Sequence, residues 1–203
     1  MGAGRRWRRL GAGVVALLAM TGCSHADGDE VPTAAATPRV SETTTDSPSE
    51  SPAPGPTPWP EPTRPVAMER DDIEGAKAAA EYFLALYPYI FATGDLKEWQ
   101  RMSHQECQFC AGAADRVDEL SAKGGFALGG ELEVENVFVQ GPDGSNGEYR
   151  VGLMVRESPS TEFSNDGKEM LTLSGGRAQY SFALHWSDEG WKVLRGAFES
   201  LER

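Results

Sequence analysis

Histidine is scarce in this chain, with three among 203 residues, and cysteine is equally scarce. Each shortage excludes something. His25, His104 and His185 with Cys23, Cys107 and Cys110 leave few ways to assemble a four-ligand metal site. His104, Cys107 and Cys110 follow at steps of three. On one helix each such step turns a ligand by about 300°, so the outer two diverge, and no fourth ligand accompanies them. Ala111 after Cys110 removes the covalent haem pattern. No metal or other cofactor is expected. Basic residues are also few: 19 Lys and Arg stand against 31 Asp and Glu, a formal charge of −12. So acidic a surface repels phosphate backbones, which argues against nucleic acid as a partner.

A long apolar run is missing too. The one at the start, Leu10 to Met20, follows a positive region of Arg5, Arg6, Arg8 and Arg9. It is too short for a permanent membrane helix and reads as the core of a signal peptide. It ends at Met20-Thr21-Gly22-Cys23, small residues ahead of a cysteine. That is the bacterial lipobox pattern, in which the sulfur takes a diacylglycerol and the chain is cut just before it; Leu is the usual residue where Met20 stands. The alternative is an ordinary secretory signal with an incidental Cys23. Arg5-Arg6 also suggests twin-arginine export, though its surroundings fit that route poorly. Residues 1–22 are thus expected to be a lipoprotein signal peptide, with palmitate-bearing Cys23 anchoring the chain to the outer face of the cell membrane. Cleavage leaves 15 basic residues against 31 acidic ones, a formal charge of −16.

Residues 23–66 read as a tether. Ten of the thirteen prolines lie between Ser24 and Pro65, with many Ser, Thr and Ala and almost nothing large and apolar. Such a stretch buries too little to offset the entropy of ordering. From Ser51 to Pro62 proline alternates strictly, a stiff rod of about 37 Å at roughly 3.1 Å per residue. Trp59 within it reads as a stray exposed aromatic rather than a docking side chain.

Residues 67–203 have the size of one domain, with helical patterns first and strand patterns second. Asp71-Asp72 caps a helix whose apolar face is Ala76, Ala79, Ala80, Phe83, Leu84, Tyr87 and Phe91; Pro88 interrupts its last turn and Gly94 ends it. Asp95 to Glu98 has capping-box spacing and opens a short helix with Leu96, Trp99 and Met102 inward. Ser103 to Glu106 repeats the box and predicts a third helix running from there to Gly124. After Gly129-Gly130 the period becomes two, with a phase slip near Asn136 that predicts a bulge. Inward residues are then Tyr149, Val151, Leu153 and Val155, followed by Ala178, Tyr180, Phe182, Leu184 and Trp186, and a hairpin at Ser187 to Gly190 leads into Trp191 and Val193. The expected architecture is α+β: N-terminal helices packed on one face of a curved antiparallel sheet of four or more strands.

Glu81-Tyr82-Phe83, Tyr87-Pro88-Tyr89, Thr93-Gly94-Asp95, Trp99, Ser103 and the Cys107–Cys110 pair together resemble an actinobacterial lipoprotein domain family of unknown function, over roughly residues 70–203. The helices-then-sheet order and the Trp186…Gly190-Trp191 hairpin resemble the wider nuclear-transport-factor-like, cone-shaped superfamily. That superfamily mixes isomerases, cyclases, dehydratases and non-catalytic binding domains, so fold does not deliver function.

With Cys23 lipidated, Cys107 and Cys110 remain as an even pair in an oxidising compartment, spaced for a disulfide at a helix start. A redox-active pair is the rival, but thioredoxin-type motifs follow a strand and this pair follows a helix. An enzyme of the cone-shaped type needs an ionisable group in an apolar cavity. The inward phases of 149–155 and 178–186 contain none, and His185 sits on the opposite phase. Tyr82, Phe83, Tyr87, Phe91, Trp99, Tyr180, Phe182 and Trp186 are the expected core or pocket lining, with Leu84 and Tyr87 touching Tyr180, Phe182 or Trp186. The expected function is non-catalytic binding of an envelope protein, a wall component or a small apolar ligand. The alternative is an envelope hydrolase, isomerase or cyclase.

Overall fold

A computed structural model describes residues 59–201, apart from Asp143 and Ser145. The expected signal peptide, Cys23 and most of the tether lie outside the described residues. A 3-10 turn at Val66–Glu69 leads into α1 (Ile73–Thr93), α2 (Lys97–Met102) and α3 (Gln108–Ser121). Seven strands follow: β1 (Phe126–Gly129), β2 (Leu132–Gln140), β3 (Glu148–Glu157), β4 (Ser160–Phe163), β5 (Glu169–Leu173), β6 (Gly176–Ser187) and β7 (Gly190–Ser200). They form two antiparallel sheets, a large one in the order β2-β3-β6-β7 and a small one in the order β1-β4-β5. The expected α+β architecture is present; the small sheet is an addition to it.

The Asp72 carboxylate accepts the Gly75 amide at 2.8 Å and starts α1, and Gly94 closes it with φ of 74°. The buried run Ala76, Ala78, Ala79, Ala80 lets the helix be covered almost all round. Phe83 meets the inner face of the large sheet edge-on at Phe182, 5.5 Å between ring centres, and stacks on Trp99 at 4.0 Å. On α1 it is the ring of Phe83 that meets Phe182, beside the expected Leu84, which is itself buried. The inward set Tyr149, Val151, Leu153, Val155, Ala178, Tyr180, Phe182 and Leu184 is fully or nearly fully buried, as alternation predicts. The bulge near Asn136 is present, as a register shift between Val134 and Asn136.

The helix starts after α1 differ from expectation. Leu96, not Asp95, precedes α2; the Asp95 side chain accepts the Lys97 amide at 3.0 Å, and Glu98 turns to Arg101 instead of closing a box. Ser103 ends α2 and bridges Val193, and His104 donates its amide to the Val193 carbonyl, so these two residues run beside β7 and 105–106 form a turn instead of a helix start. α3 starts at Gln108, with the Cys107 sulfur accepting the Cys110 amide at 3.2 Å. A sheet neighbour outcompeted the local cap. Trp59 is a further correction: it packs half-buried against the core, and Arg64 reaches Glu98 at 3.3 Å.

Candidate functional site

Five aromatic rings run in unbroken succession along one side of the domain. Phe91 and Tyr87 on α1 are 5.0 Å apart; Tyr87 faces Phe109 of α3 at 6.3 Å. Phe109 meets Tyr180 of β6 edge-on at 6.3 Å, and Tyr180 lies 5.1 Å from Phe198 of β7. They line a groove of about 600 Å³ between the helices, the large sheet and β5. A recess of about 260 Å³ shares Tyr87, Phe91, Arg116 and Leu173 with it and reaches Leu171. The rims are apolar and wet: Phe198 is 51% exposed, Leu173 57% and Leu171 44%.

Phe109 holds this wall together. It sits between two cysteines joined by a disulfide, their α-carbons 5.2 Å apart, and the Trp99 indole donates to the Cys110 carbonyl at 3.0 Å. Its ring lies on Gly196, where a Cβ would stand only 2.7 Å away.

One carboxylate enters the groove. The hydroxyl of buried Tyr180 donates to Glu157 Oε1 at 2.6 Å. Burial first, and the neighbouring Glu157 next, raise the Tyr180 pKa; burial, Glu157 and Glu162 likewise raise that of Tyr87. Both phenols therefore keep their protons well above neutrality. Arg116, the one cation among the lining residues, pairs with Glu162 and lies 3.6 Å from Glu119. Glu157 has no basic partner among the described residues.

Of the residues the sequence singled out, Tyr87, Phe91 and Tyr180 line the groove. Tyr82, Phe83, Trp99 and Phe182 are core, and Trp186 is half-buried edge-on to Trp191 at 5.3 Å. Burial, then the nearby Glu98, push the Tyr82 phenol up to about 12. His185 lies on the opposite phase, as expected, near Gly147.

Phe109, Glu157 and Phe198 were missed. Glu157 continues the inward phase of Tyr149 to Val155 by one step, beyond where the alternation of apolar residues stops. Phe198 is hidden by a phase change: Leu184 opposes Val193 but Phe182 opposes Gly196 and Tyr180 opposes Phe198, across a bulge.

A larger depression, about 840 Å³, lies on the other face of the large sheet over Gly152, Ser181 and Ala197. Its acid, Glu148, is only 4% exposed and is met by Arg195 at 2.7 Å and Arg150 at 3.3 Å. That charge is already answered, so the groove is the better candidate despite its smaller volume. Among the described residues no group of three or more His, Cys, Asp or Glu is placed to hold a metal, and no helix is long and apolar enough to cross a membrane.

Helices laid on the inner face of an antiparallel sheet, with an apolar groove between them, define an α+β domain. The chain belongs to the family of unknown function DUF6318, whose model matches residues 49–196. Similar solved structures include the intermembrane space region of the chloroplast protein ARC6, at 17% identity and a TM-score of 0.48 over 64% of this chain and 98% of that one. An uncharacterized Caulobacter vibrioides protein with a cystatin-like fold is similar at 8% identity and a TM-score of 0.42, over 63% and 91% of the two chains. A Novosphingobium aromaticivorans protein described as NTF2-like with a cystatin-like fold is similar at 16% and 0.35, over 62% and 82%. No curated protein matches the chain.

Proposed function

We propose that this protein is an actinobacterial envelope lipoprotein, held to the outer face of the cell membrane by lipid on Cys23, whose domain binds a small apolar ligand without converting it. The anchoring rests on the signal region and the Met20-Thr21-Gly22-Cys23 sequence. The binding reading rests on one observation above all, the five-ring groove with exposed apolar rims. Contiguous apolar surface left in water marks a place that something covers. Tyr180 and Tyr87 support binding over turnover. Proton transfer near neutral pH is most effective from a group whose pKa lies near the working pH, and the phenol pKa values move away from it.

One observation favours the rival reading of an isomerase, cyclase or hydrolase: Glu157 is an ionisable group directed into an apolar groove, which such chemistry requires. The two readings separate in cells. A photo-reactive phenylalanine analogue at Phe198 should capture a small molecule that is recovered unchanged, and the same probe at Phe138 on the other sheet face should not. Capture of a product-substrate pair at Phe198 favours the enzyme. Mass spectrometry of the membrane fraction should find a mature chain starting at lipidated Cys23; a soluble, unmodified chain cut elsewhere removes the anchor.

A further inference from the structure

The groove holds a carboxylate as well as five rings. Its five rings present π faces and edges to any occupant, and Glu157 adds a carboxylate whose one hydrogen-bond donor among the described residues is the hydroxyl of Tyr180. Arg116 is engaged by Glu162, so an anionic ligand finds no free cation among the lining residues. An uncharged apolar ligand strips water from Glu157 and gives nothing back, which is unfavourable for a carboxylate. A ligand carrying a positive charge answers the carboxylate and gains cation–π attraction from the adjacent rings. The chain's net charge of −12 draws cations toward it at long range.

We infer that the groove selects an organic cation, a free small molecule with an ammonium group on an apolar body, seated with the ammonium between Glu157 and the Tyr87, Phe109 and Tyr180 rings. This rests on the binding reading above and names its ligand class.

The test uses three probes with one apolar body: 4-phenylbutylamine, 4-phenylbutanol and 4-phenylbutanoate. Titration calorimetry is run on the mature sequence, residues 23–203, carrying Cys23→Ser to keep it in solution. The amine should bind about tenfold or more tighter than the alcohol, and the carboxylate should bind weakest. Glu157→Gln should bring amine and alcohol to within about twofold of each other. Phe198→Ala, a change at an exposed rim, should weaken amine and alcohol together while leaving their ratio intact. Equal binding of all three probes overturns the cation preference and leaves the apolar groove standing. A preference that survives in Glu157→Gln also overturns it, because the general acidity of the surface then accounts for it. Binding of none of them removes both readings.

Discussion

At Gly196 the ring of Phe109 occupies the space where a side chain would stand, with Cδ1, Cγ and Cβ all within 3.0 Å of an added Cβ. The ring is held at its base by the disulfide-bonded turn, so an added methyl has to displace it or the strand. Gly196→Ala should therefore cost about 1–3 kcal/mol, as for overpacking of a fitted core, and loosen the groove wall. Gly152→Ala is the control, since an added Cβ there meets nothing within 4 Å; it should be neutral within about 0.5 kcal/mol. Urea denaturation reads both, and equal effects would contradict the packing described. Phe182 and His185 form a second pair of opposites on β6. Phe182 is buried against Phe83 and Phe109, so Phe182→Ala should cost about 3–5 kcal/mol. His185→Ala, on the other phase, should stay within about 0.5 kcal/mol.

Among the elements, the disulfide and the segment ahead of α1 carry separate expectations. Cys107–Cys110 closes so short a loop that it removes little unfolded-chain entropy, about 2 kcal/mol by the chain model. The double change to serine should lower stability by about that much and weaken near-UV signals from Phe109, which lies between the two cysteines, and from Trp99, whose indole donates to the Cys110 carbonyl. Full retention of both would make the crosslink dispensable. Trp59 and Met68 pack on the core, so limited proteolysis should leave a resistant fragment that begins before Trp59. A fragment starting near residue 67 would mean that the Trp59 contact is weak.

The elements also show what the sequence made legible. α1 was readable because its cap, its apolar face and its terminating glycine all agree. β2, β3, β6 and the start of β7 were readable by alternation. The start of α3 was not, because the hydrogen bond that decides it joins His104 to Val193, 89 residues on in the chain. β1, β4 and β5 are four or five residues long, and β5 is exposed throughout, so no burial pattern announces them. The groove was half legible. Tyr87, Phe91 and Tyr180 sit at core spacing, whereas Glu157 and Phe198 enter only where a strand outlasts its apolar run or a bulge reverses its phase.

For the molecule as a whole, all five tyrosines have raised pKa values, with burial the leading cause in each. A folded state that holds phenol protons longer than the unfolded chain is fully supported by them below pH 10, the ordinary phenol value, and loses that support as pH rises past it. Absorbance at 295 nm should show no tyrosine step near pH 10 in the native protein, and ionisation should coincide with loss of structure at higher pH. A five-tyrosine step near 10 with circular dichroism intact would contradict the burial described.

We have proposed that this protein meets a small ligand on the face between α1, α3, β5 and the large sheet. Chemical-shift mapping on the mature sequence with Cys23→Ser, titrated with 4-phenylbutylamine, tests it most directly. Saturable shifts are expected at Tyr87, Phe109, Tyr180 and Phe198, with Phe138 and Gly152 on the opposite face unmoved. Shifts confined to Phe138 and Gly152, or none that saturate, would contradict it.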